Sequence, residues 1–317
     1  MFDERAGFGT AAAHRCARGN SDALFLGTMD GEAYRRYQGV WARLPCAVGA
    51  KIQGIHAISA SKAYLLRSDG EILLYDGTSC SQVHQSADSN FLGIAQLTAT
   101  TFYAYRQNGG IFFDGSTFKE FDAPYLRALS SGTAPQTLGV GFYGRSFTLS
   151  GANVLIHSWR APVGYCMALA LAPSGMPCVG CVGSLFCLGA SPQALSFRFA
   201  RQEDSLEFDP AGQLFAASLT SYGLFAGPLD ALAPLGVTHT ATALRSLATG
   251  QTWLAAHALG IAHWDGKTLT FEPSERDLSA ERVIDIEGPD VDHLYALTAD
   301  GALLLRKGGK WVTQHQL

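Results

Sequence analysis

Seven cysteines are the residues in this chain with the most chemical potential, at positions 16, 46, 80, 166, 178, 181 and 187. Four of them, Cys166, Cys178, Cys181 and Cys187, fall within one short stretch and offer enough thiolates for a tetrahedral zinc. Against that, a zinc ribbon needs two knuckle-like pairs, and Cys178-x-x-Cys181 is the one such pair here. Residues three apart on an extended strand also face opposite ways. Inert core thiols are therefore the leading expectation, with a disulfide or redox role and a metal behind it. An odd count with no visible secretory signal fits a reducing compartment, so the sequence predicts a cytoplasmic protein.

Histidines and carboxylates offer a second chemistry. The nine histidines are dispersed, with no His-x-His or His-Glu-x-x-His. Asp285 and Glu287 alternate along one segment and share a face if it is a strand, as do Glu207 and Asp209. With His56, Arg127 and Arg245 they form a candidate polar constellation for acid–base work. The bland alternative is a solvated charged mouth. No nucleophile elbow, phosphate loop or dinucleotide fingerprint is present, and no cofactor is implied. Surface aromatics suggest contact rather than catalysis: Tyr125, Trp159 with Arg160, and Tyr222 are the candidate binding residues, being types that dominate protein interfaces. Tyr34, Tyr37, Tyr75, Tyr103, Tyr105 and Tyr143 exceed what turns require, and many of them must pack in the core.

Something has to position these groups, and a repeat does so. His293 to Thr298, Asp300-Gly301, Ala302 to Arg306, Gly308-Gly309 and Lys310 to Thr313 spell one unit. Thr252 to Phe271, Ala63 to Gly77, Phe102 to Phe118 and Ala23 to Trp41 spell it again. Short apolar, aromatic-rich runs alternate with Asp-Gly pairs, expected to be type I′ hairpin turns. A plainer segment precedes each copy, giving four antiparallel strands per roughly 40 residues, the unit of a β-propeller blade. Leading strands are expected near Gly9, Gly54, Gly93, Leu126, Ala168, Leu206, Leu244 and Val283. They predict an all-β single domain over residues 1–317, with eight blades, or seven if the two units between Leu126 and Ala200 merge. A β-helix would need shorter rungs, and a sandwich would not repeat one unit throughout.

Composition narrows the function. The net charge is −4, with 23 basic against 27 acidic residues, which leaves no excess for phosphate neutralisation and argues against nucleic acid. Charged residues are 16%, hydrophobic ones 47%, so the surface is rather apolar and suits a protein partner. No apolar run reaches the roughly 18 residues of a membrane helix.

The blade pattern, best seen in Ile261-Ala262-His263-Trp264-Asp265-Gly266 and in Gly301 to Trp311, resembles a loose group of bacterial β-propeller repeat proteins. The WD-repeat group fits less well, because no Trp-Asp closes a blade with its Gly-His. Members of the resembled group serve as sensor ectodomains, adhesion modules and parts of toxin systems. The resemblance implies a binding scaffold and carries over no catalytic residue. The expectation is a monomeric, non-enzymatic protein-binding propeller, most concretely an immunity or adaptor protein covering a toxin or effector. A glycan-active hydrolase or lyase at the channel mouth is the alternative, and a carbohydrate-binding lectin a third.

Overall fold

The computed structural model describes residues 15–18, 23–46, 49–89, 91–130, 137–141, 145–158, 166–181, 184–187, 193–194, 206–217, 224–228, 232–237, 239–247, 249–288 and 290–316. These form eight four-stranded sheets, each of four consecutive strands in simple antiparallel order. The inner strands are Arg15–Arg18, Ile52–Ser59, Phe91–Gln96, Leu126–Leu129, Cys166–Leu171, Leu206–Phe208, Ala241–Ser246 and Val283–Glu287. Each inner strand neighbours the next, and the last neighbours the first, so the blades close into a ring. This is an eight-bladed β-propeller. Seven of the expected leading strands fall on or within three residues of an inner strand; Gly9 lies outside the described residues. Among the described residues no helix is long and apolar enough to cross a membrane.

Inner strands converge on the axis and must bend. In six blades the pairing slips by one residue near the start of the inner strand, for instance between Ile52 and Gly54, Leu126 and Ala128, and Ala241 and Ala243. A bulge there adds twist and re-aims the strand. The residue after the bulge is small in five blades: Gly54, Gly93, Ala128, Ala168 and Ala243. At Gly54 a Cβ would already meet Ile94 of the next blade at 3.1 Å. In the eighth blade this position is Asp285.

The Asp-Gly pairs do not form the expected type I′ turns. At Asp30-Gly31, Asp69-Gly70 and Asp300-Gly301 the glycine alone has positive φ, 86°, 91° and 89°. Its N–H donates to the carbonyl three residues back, at Thr28, Arg67 and Thr298. That is the three-residue hairpin closed by a glycine bulge. At the opposite corner Asp76, Asp114 and Asp265 open four-residue loops. Each Oδ1 accepts from the N–H two residues on (2.9 Å in all three) and three residues on (2.8 Å). Those bonds favour the ionised form and hold the Asp76 and Asp265 carboxyls below the usual range; at Asp114 the Lys119 ammonium is the largest cause and the loop bonds add to it. Two-residue loops with both φ positive occur at Gln38-Gly39 (49° and 81°) and Gly308-Gly309 (59° and 77°). An aspartate serves better as a loop-closing acceptor than in the left-handed position, which explains the difference.

The core lies between blades. Tyr75, Tyr103 and Tyr105 are buried there, Tyr34 is partly buried, and Tyr37 is exposed; Tyr143 is not among the described residues. The seam between the eighth and first blades is packed by Leu24 and Leu26 against Tyr295, Leu297 and Leu303. Across it the Arg36 guanidinium lies 5.5 Å from the Tyr295 ring centre and donates to its hydroxyl.

Candidate functional site

Among the described residues, chemically capable side chains come together in the central channel and in the connector before the fourth inner strand. A cavity of about 490 Å³ opens along the channel, and Glu207, Arg245, Asp285 and Glu287 all line it. Their placement follows from register. Arg245 and Glu287 occupy equivalent positions on the inner strands of adjacent blades, two residues after Ala243 and Asp285. That equivalence sets Arg245 Nη2 at 3.4 Å from Glu287 Oε2, each side chain about a quarter exposed. Asp285 and Glu287 do share a face, as alternation requires. Leu129, Leu169 and Phe208 are among the other residues that line it, although most of the surface it exposes is polar. Three carboxylates and one arginine around this hollow can hold a proton or orient a polar ligand. Among the described residues no group of three or more His, Cys, Asp or Glu is arranged to hold a metal ion.

His56 does not join this constellation. It is buried at 1% exposure, its ring 5.0 Å from that of Phe102 and stacked on Tyr64 at 6.4 Å, and its Nε2 lies 3.2 Å from the Ala99 carbonyl. Burial holds its pKa below the ordinary 6.5, offset in part by bonds to Ala99 and Gln96. Asp209 also leaves the candidate set, since its Oδ1 accepts from the Gln213 N–H at 2.8 Å within a turn. Arg127 lies in the bulge of the fourth inner strand.

The His56 shift makes stability depend on pH. An unfolded chain takes up a proton near pH 6.5, whereas folded His56 does so only at lower pH. Between the two the unfolded state binds more protons. Its contribution is thus complete above pH 6.5 and is lost as pH falls below that. His84 shifts the same way, mainly through desolvation. Denaturation midpoints should therefore fall between neutral pH and about pH 5, and His56→Gln should flatten that fall. An undiminished slope in the variant would remove His56 as its source.

In the connector that leads into the fourth inner strand, Tyr125 stands in the left-handed region (φ 69°) and is 40% exposed. Two features fix it there. Any side chain at Gly141 would meet the Tyr125 carbonyl oxygen at 2.2 Å, and the Arg145 guanidinium lies 5.3 Å from the Tyr125 ring centre. Leu155 and Ile156, on the outer strand of the same blade, are 60% and 46% exposed. Sequence reasoning missed this pair; two adjacent apolar residues on an edge strand were the available signal. Trp159, Arg160 and Tyr222 lie outside the described residues.

The cysteines depart from the inert-thiol expectation. Cys46–Cys80, Cys166–Cys181 and Cys178–Cys187 are disulfides. The four that offered a zinc set are consumed in two bonds on opposite faces of the fifth blade. One face packs with Ala128 and Val140 of the fourth blade, the other with Leu206 and Leu214 of the sixth. No thiolate remains in that group, so the zinc alternative has no ligands.

No protein-family profile matches the chain, and no curated protein matches it by sequence. Its likeness to solved structures is one of fold. Virginiamycin B lyase from Staphylococcus aureus, as a catalytically inactive variant with quinupristin, superposes with a TM-score of 0.60 at 8% identity over 92% of this chain and 98% of that one. YCF48 bound to a D1 peptide gives 0.56 at 13% identity, over 93% and 96%. The extracellular domain of the hybrid two-component system BT3049 from B. thetaiotaomicron gives 0.54 at 12%, over 95% of this chain and 47% of that one. All are similar to this chain in architecture, and they include an enzyme and a peptide-bound protein. The fold is therefore that of bacterial β-propellers, with function to be argued from the chain's own surface.

Proposed function

We propose that this protein is a non-enzymatic, protein-binding propeller. The observation that carries this reading is the exposed surface of the fourth blade, with Tyr125, cation-backed by Arg145, in the connector before its inner strand and exposed Leu155 and Ile156 on its outer strand. A rigid aromatic backed by an arginine has the composition of an interface hot spot, and the outer edge strand of the same blade adds exposed Leu155 and Ile156. YCF48, of like fold, is a peptide-bound protein, which supports this use of the disc. In its specific form the proposal is an immunity or adaptor role, one face of the disc covering a toxin or effector.

Affinity capture from the native host should return one stoichiometric protein. Tyr125→Asn, which suits positive φ, combined with Leu155→Glu should weaken its binding by about tenfold or more while leaving the melting temperature nearly unchanged. Binding that survives both changes would move the interface elsewhere, and a blank capture would end the reading. The alternative, a glycan-active hydrolase or lyase, is favoured by one observation: Glu207, Arg245, Asp285 and Glu287 share one cavity. Turnover in a glycan screen, abolished by Asp285→Asn, would promote it.

A further inference from the structure

We propose that this chain folds in an oxidising compartment and carries Cys46–Cys80, Cys166–Cys181 and Cys178–Cys187 as permanent structural cross-links, contrary to the cytoplasmic expectation from sequence. The inference does not depend on the partner-binding reading. Disulfides persist where no thiol pool reduces them, and this pattern occupies six of the seven cysteines.

Backbone register alone brings the partners together. Cys166 lies directly opposite Cys181, and Cys178 opposite Cys187, in two adjoining ladders, with Cα atoms 3.9 Å and 4.0 Å apart. Cys46 and Cys80 are 4.9 Å apart by the same measure. All six residues but Cys80 are buried, which shields the bonds from exchange. In the fifth blade the cross-links act where the outer edge of the sheet is short. The fifth blade's outer strand has two residues, Gln193–Ala194, and two disulfides bind its three inner strands together. Cys46 lies in the connector between the first and second blades and ties it to Cys80 on the second blade's outer strand.

Each bond forms when a thiolate pair gives up two electrons and, from the parent thiols, two protons. The acceptor is the exchangeable disulfide of a thiol oxidoreductase, which leaves as a dithiol.

The test is to lyse native-host cells directly into denaturant with an alkylating reagent and no reductant, then map cysteine peptides by mass spectrometry. The six cysteines should be unalkylated and joined in the three stated pairs. Purified protein should lose roughly 10 °C of melting temperature on reduction, and the Cys178→Ala/Cys187→Ala double variant should lose a smaller part. Alkylation of both members of a pair overturns that pair. Alkylation of all six, or stoichiometric zinc released as they react, overturns the proposal.

Discussion

Trp253→Ala should destabilise the protein by about 3–5 kcal/mol. Trp253 is fully buried on the second strand of the seventh blade, with its ring 5.8 Å from that of Trp311 in an edge-on contact and 5.0 Å from His263. The Arg306 guanidinium lies 4.8 Å from its centre. That cation is tied from its other edge, donating through Nη2 to Glu272 Oε1 at 2.7 Å and through Nε to Oε2 at 2.9 Å. Truncation to alanine leaves a cavity between two blades and strips the ring from a largely buried guanidinium, so two penalties add. Trp253→Phe should cost far less, because it keeps a ring and removes an indole N–H that meets no acceptor among the described residues. Chemical denaturation of both variants measures this. A loss below about 1 kcal/mol for the alanine would mean that the seventh and eighth blades do not depend on this cluster.

Gly109→Ala is the second large effect, at about 2–6 kcal/mol from backbone strain and overpacking together. Gly109 opens the third strand of the third blade at φ 136°, and an added Cβ would sit 2.1 Å from the Phe121 carbonyl oxygen. Neither atom can move without breaking the pairing of Gly109 with Asp122 and of Gly110 with Phe121. Gly266→Ala supplies the comparison. Its φ is 97°, but nothing lies within 4 Å of an added Cβ, so strain alone remains, at about 1–2 kcal/mol. Equal losses in the two variants would refute the close approach as the cause.

The blades were legible because their signals are local. Apolar runs of four to seven residues between glycine turns record strand length directly, and the plain strand before each copy marks where the chain returns to the axis. Turn type was less legible: Asp-Gly fits several hairpins, and the choice between them is made by the carbonyl three residues back, as at Arg67 and Gly70. The channel group was partly legible. Alternation placed Asp285 with Glu287, but whether His56 faces the channel or the Phe102 ring depends on packing between blades that no single segment encodes. The disulfides were illegible for a related reason. Cys178 and Cys181 face opposite ways, as their spacing requires, and their partners are set by the register of two ladders at once.

The seam between the first and eighth blades is made of side chains, with Leu24, Leu26, Tyr295 and Leu297 doing there what similar residues do at every other blade boundary. Each sheet is complete in itself, with no strand lent across the seam. The ring is therefore modular in a literal sense. A duplicated or deleted run of about 40 residues, cut at any connector, alters the number of blades without orphaning a strand. Blade number in such a protein can drift while blade chemistry stays constant. The fourth and fifth blades, bearing exposed Leu155 and Ile156 and two of the disulfides, are where blade chemistry differs most from the Asp-Gly and aromatic pattern of the clearest copies.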